Sequence, residues 1–81
     1  MLAYPARVEV EGEDMVMLTL PDVPELVVVA GGRADALRKA PTVLDTILAG
    51  YVWQDRPLPE PSRIAGAPMV SPRLYRFAEA D

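Results

Sequence analysis

The stretch Tyr4-Pro5-Ala6-Arg7-Val8-Glu9-Val10-Glu11-Gly12-Glu13-Asp14-Met15-Val16-Met17-Leu18-Thr19-Leu20 carries two patterns joined by a turn. In the first, Tyr4, Ala6, Val8 and Val10 alternate with Pro5, Arg7, Glu9 and Glu11. A period of two belongs to a strand with one wet face. In the second, Met15 to Leu20 is apolar on nearly both faces apart from Thr19, as expected of a strand inside a sheet. Between them Glu11-Gly12-Glu13-Asp14 reads as a turn, with Gly12 free to take positive φ. Two strands so closely joined form an antiparallel hairpin.

Beyond it, Pro21-Asp22-Val23-Pro24 interrupts the pattern, because proline fixes φ and lacks a ladder donor. Asp22 is expected to accept hydrogen bonds from its own loop backbone. Leu26 to Ala30 reads as a third strand ended by Gly31-Gly32. From Arg33 the period changes: Leu37, Pro41, Leu44, Leu48 and Tyr51 form one helical stripe, widened by Ile47 and Val52. Pro41 lies inside that stripe, which predicts a kinked but continuous helix ending near Asp55. Tyr51 falls on the stripe and is expected in the core. Trp53 falls off it and is expected as an exposed anchor for a partner. Arg56 to Ser62 holds three prolines and must run extended. A last short strand is expected within residues 67–77, from Met69, Val70, Leu74, Tyr75 and Phe77.

The expected fold is therefore α+β, in the order β-β-β-α-β: a small antiparallel-rich sheet of three to four strands with one main helix packed on it. Eighty-one residues make a single domain. Residues 1–63 are read as its core and residues 64–81 as its C-terminal strand and tail.

Composition removes much of enzyme chemistry. The chain has no cysteine and no histidine, so disulfides, thiolate or imidazole metal sites, Cys/His pairs and Ser-His-Asp triads are all excluded. No catalytic residue, metal site or cofactor is expected. The longest apolar run, Leu26 to Ala30, is far short of the ~20 residues of a membrane span. Met1 to Arg7 lacks the basic and apolar segments of a signal peptide, so a cytoplasmic location is expected. Net charge is −4, against direct binding of nucleic acid. The charge is uneven: Glu9, Glu11, Glu13, Asp14, Asp22 and Glu25 precede Leu26 with only Arg7 among them. Four arginines lie between Arg56 and Arg76 against Glu60.

Several of these segments, in this order, resemble the HicB-like antitoxin family. The resemblance rests on Tyr4-Pro5-Ala6, on Leu20-Pro21-Asp22-Val23-Pro24, on Ala36-Leu37 in the helix and on Pro57-Leu58-Pro59-Glu60-Pro61-Ser62. It covers residues 4 to about 63. It implies a partial RNase-H-like fold and a partner, a small basic HicA-type toxin that cleaves mRNA through a catalytic histidine. It also implies self-association as a dimer or tetramer. The chain departs from the family at Glu25, where glycine is usual, and at Pro41 within the helix. It also lacks the C-terminal DNA-binding domain that many such antitoxins carry, so it would be a single-domain variant, not expected to bind an operator alone.

Glu9, Glu11, Glu13 and Asp14 around the hairpin, with Trp53, are the expected partner-binding residues, since an acidic surface steers a basic partner and competes with phosphate. Two other readings stand beside this one. An orphan oligomeric interaction module would keep the fold without a toxin. A carboxylate and Mg²⁺-dependent nuclease would need three or four acids around two ions. Glu9 and Glu11 could supply two of them, and Asp35 or Asp45 a third. The alternation that pairs the glutamates turns them away from a helix packed on Val8 and Val10, so those aspartates are not expected to reach them.

Overall fold

The computed structural model describes residues 2–73. Among them the elements are β1 (Tyr4–Pro5), β2 (Arg7–Gly12), β3 (Met15–Leu20), β4 (Val23–Ala30), α1 (Arg33–Trp53) and β5 (Met69–Val70). β2, β3 and β4 form an antiparallel sheet in that order, and β1 pairs with β5 in a second, two-stranded one. The α+β architecture is the one expected, with α1 packed on β4 and β3.

The apolar β3 is the central strand. Its Val16, Leu18 and Leu20 are buried under α1, with Val23, Leu26, Val28 and Ala30 of β4 beside them. Directly opposed residues of an antiparallel pair share a face. Val8 faces Leu18 and Val10 faces Val16, so both lie on the helix side, whereas Arg7 and Glu9 lie on the outer side with Thr19 and Met17.

The first strand is shorter than the alternation suggests, because the chain changes partners at Ala6. Tyr4 and Pro5 oppose Val70 and Met69, and the Ala6 N–H donates to the Pro68 carbonyl at 2.8 Å. Tyr4, Pro5 and Ala6 are all buried, so alternation ends where β5 joins. Leu74, Tyr75 and Phe77, expected to help form the last strand, lie outside the described residues. The hairpin also closes differently: β2 runs to Gly12, the turn is Glu13–Asp14, and a register shift at Glu11 absorbs one residue. Gly12 does not use positive φ, which among the described residues occurs at Gly66 and Asp55.

β4 begins earlier than Leu26. Its regular ladder pairs Val27 to Ala30 with Thr19 to Val16, and Leu20 then pairs with Val23. The residues between, including Pro24 with no N–H to offer, form an irregular stretch in the strand.

α1 runs continuously through Pro41, which half-buries its ring while forgoing one backbone donor. Its innermost line is Ala36, Ala40, Leu44, Leu48 and Tyr51. In the first two turns this stripe lies one residue from the predicted one, since Leu37 and Pro41 are only half-buried. Two alanines let the helix start close to the sheet.

The helix ends in a Schellman motif. Asp55 adopts φ 57°, its N–H donates to the Val52 carbonyl at 3.1 Å, and the Arg56 N–H donates to the Tyr51 carbonyl at 2.8 Å. The side-chain contact that completes the motif is between Arg56 and Tyr51, the guanidinium carbon standing 4.1 Å from the ring centre.

Residues 56–68 then cross the molecule as an irregular strap. Leu58 packs against the core, the Tyr4 hydroxyl donates to the Pro59 carbonyl at 2.7 Å, and the Arg73 N–H donates to Asp45 Oδ1 at 2.7 Å. Asp22 does not cap its own loop as expected. It accepts from Ser62, 40 positions away, at 2.7 Å from the N–H and 2.6 Å from Oγ.

Candidate protein-binding surface

Glu9, Glu11, Glu13 and Asp14 are all exposed along β2 and its turn. The hairpin holds them: Glu9 opposes Met17 on the outer face, Glu11 occupies the bulge, and Glu13 and Asp14 make the turn itself. The bulge breaks strict alternation, so Glu11 need not share the face of Glu9.

Two apolar side chains lie among these acids. Val10 is on the helix side of the sheet yet 78% exposed, because α1 covers β4 and β3 and leaves the end of β2 bare. Met15, just after the turn, is 44% exposed. Sequence reasoning grouped Val10 with the apolar set of the first strand and Met15 with a strand inside the sheet. For Val10 the deciding factor is the edge position of β2, since α1 packs on β4 and β3. Val10 and Met15 lie on opposite faces of the hairpin, so each face carries one exposed apolar side chain beside the carboxylates.

Trp53 is 90% exposed and its neighbour Val52 53%. The structure does not bring Trp53 to the acids. α1 starts beside the hairpin turn, where a side chain on Gly31 would meet the Asp14 carbonyl at 3.8 Å. It runs ~31 Å for its 21 residues, at ~1.5 Å each, to the opposite end of the sheet. The anchor and the acidic hairpin are two surfaces.

At that far end Glu25, Tyr51 and Arg56 form a cluster. The Tyr51 hydroxyl donates to the Glu25 carboxylate at 2.7 and 2.9 Å to its two oxygens, and Arg56 approaches the same carboxylate at 3.8 Å. The Tyr51 bond, then a backbone bond and the Arg56 charge, holds the Glu25 carboxyl below its ordinary range. The same bond and burial push the Tyr51 phenol up. This cluster fastens the helix end to β4.

The aspartates considered for metal chemistry are occupied elsewhere. Asp35 pairs with Arg38 and Lys39, and these bonds lower its carboxyl from the ordinary value. Asp45 accepts the Arg73 N–H. No three acids converge to hold a metal ion among the described residues. No helix among them is long and apolar enough to cross a membrane. No protein-family model matches the chain, and no curated protein matches it.

Proposed function

We propose that the chain is a protein-binding module of the antitoxin type, acting in the cytoplasm without catalysis, metal or cofactor. Its partner is a small basic ribonuclease of the HicA type, held by the β2–β3 hairpin. The observation that carries this reading is the composition of that hairpin: four exposed carboxylates along β2 and its turn, with an exposed apolar side chain on each face, Val10 on one and Met15 on the other. Such a surface offers a cationic RNA-binding face what phosphate would offer, together with apolar area to bury. Covering the catalytic histidine and the RNA path of the partner is sufficient for inhibition. Direct binding of nucleic acid by the chain is disfavoured, since the same carboxylates repel phosphate.

The test is co-expression with a basic toxin-type ribonuclease encoded beside it, scoring growth rescue and co-purification. Rescue that Glu11→Lys with Glu13→Lys abolishes, in a protein of unchanged circular dichroism, is the expected result. Rescue and affinity unchanged by that reversal would remove the hairpin from the interface. No toxicity and no complex would leave the orphan interaction module as the better reading.

A further inference from the structure

α1 lies on one side of the three-stranded sheet and buries Val16, Leu18, Val28 and Ala30 there. The residues that alternate with them point to the other side: Met15, Met17 and Thr19 of β3, Val27 and Val29 of β4. A sheet with one wet face alternates apolar with polar residues, whereas near-continuous apolar runs mark strands covered on both faces. β3 and β4 carry such runs, yet Val27 and Val29 are 52% and 54% exposed and Met15 44%. By register the outer residues stand in two rows, Arg7–Thr19–Val27 and Glu9–Met17–Val29, with Met15 beyond them. This apolar strip is bordered by acid on one flank. Glu9 shares the row of Met17, and Glu13 and Asp14 make the turn beside Met15. Among the described residues none of these three has an ion-pair partner. Arg7 stands at the end of that flank away from the turn. On the opposite flank Leu26 to Ala30 carries no charge, and Glu25 is taken up by Tyr51 and Arg56.

We infer that this outer face seats a basic amphipathic helix of the protein partner. Its apolar side lies on Met15, Met17, Val27 and Val29, and its lysines or arginines lie on the β2 flank, toward Glu9, Glu13 and Asp14. This seat rests on the basic partner proposed above and narrows its contact from the hairpin to one face of the sheet. The dimensions suit a helix. Three strands are about 10 Å wide at ~4.8 Å apart, and Met15 to Thr19 spans about 14 Å at ~3.4 Å per residue. A helix ~10–12 Å across covers that width, and about nine of its residues at ~1.5 Å each cover the length. Charge selects the occupant, since nucleic acid or an anionic membrane would set phosphates against the three carboxylates. The helix side of the hairpin offers less, because Val10 is the one large apolar side chain of the sheet exposed there among the described residues.

The test titrates the full, isotope-labelled chain with a model peptide of about 14 leucines and lysines, roughly four helical turns with the leucines on one side. Amide shifts are expected to move at Met15, Met17, Val27 and Val29 and to stay fixed at Val10 and Trp53. Glu9→Lys with Glu13→Lys, and separately Val27→Ser with Val29→Ser, are each expected to weaken binding about 10-fold or more at low salt, with unchanged circular dichroism. Where the serine variant fails to fold, the wild-type shift map decides. Shifts confined to Val10, Trp53 or α1 overturn the inference, as does no saturation by ~1 mM peptide. Equal binding of a peptide with glutamate in place of lysine overturns it too, since charge then selects nothing. So do nuclear Overhauser contacts in the free chain from Val27 and Val29 to residues 74–77 or to a second copy, which would name another occupant. Peptide seated on this face, in a chain that rescues no toxin, keeps the seat and retires the ribonuclease. Rescue untouched by Val27→Ser with Val29→Ser keeps the ribonuclease and retires the seat.

Discussion

Replacing Tyr51 by Phe removes one oxygen and leaves the ring under Arg56. The hydroxyl donates to both oxygens of Glu25, at 2.7 and 2.9 Å, and a hydrogen bond to a charged group contributes about 1.5–3 kcal/mol when well shielded. The Glu25 side chain is 42% exposed, so water recovers part of what the carboxylate loses, and the net cost falls to about 1 kcal/mol. For a domain of this size that corresponds to a melting temperature lower by about 4–8 °C. The effect depends on pH with a definite sign. The folded carboxyl of Glu25 lies below its ordinary value, chiefly through Tyr51, so its stabilising contribution is complete above the unfolded pKa of ~4.3 and is lost as pH falls through the folded one. Wild type and variant should therefore differ most at neutral pH and converge in acid. The assay is thermal melting by circular dichroism at several pH values, with Glu25→Gln closing a double-mutant cycle. A melting difference under about 1 °C, or a coupling energy under ~0.3 kcal/mol, would refute the clasp.

Other expectations follow from the same geometry. Asp55→Gly relieves a side chain held in left-handed backbone and should stabilise by about 0.5–1 kcal/mol, read as a higher urea midpoint at constant slope. Leu48→Ala hollows the centre of the core and should cost about 2–5 kcal/mol, enough to leave a small domain partly unfolded at 37 °C. Asp22→Ala frees the strap at Ser62. Losing two bonds of about 1–2 kcal/mol together should speed trypsin cleavage after Arg63 roughly 5- to 30-fold, with global melting little changed.

The local patterns were legible. The hairpin, the central position of β3, the continuous helix, the burial of Tyr51 and the exposure of Trp53 all follow from periods of two and 3.6 read over neighbouring residues. What was not legible depends on residues distant in sequence. The alternation through Tyr4 to Val10 is real, yet β5 captures its first residues from more than 60 positions away. Asp22 finds Ser62 instead of its own loop, and Glu25 finds Tyr51, because the strap and the helix end come back to the start of β4. The helix stripe shifted for a subtler reason. Alanine has little weight in a hydrophobic pattern, but at positions 36 and 40 its small size is what permits close approach to the sheet. Of the candidate surface, the acids were readable as composition. The bare Val10 among them was not, because its exposure is set by where α1 stops covering the sheet.

The pairing of β1 with β5 puts the entry and exit of the described chain next to each other, Tyr4 beside Val70. β2 leads away from that meeting point for six residues, roughly 20 Å at ~3.3 Å each, before reaching the Glu13–Asp14 turn. A surface tether at the N-terminal end, where Leu2 stands two residues before the Tyr4 strand, therefore holds the molecule from one pole and presents the acidic hairpin at the other, so immobilised binding measurements in that orientation leave the hairpin open.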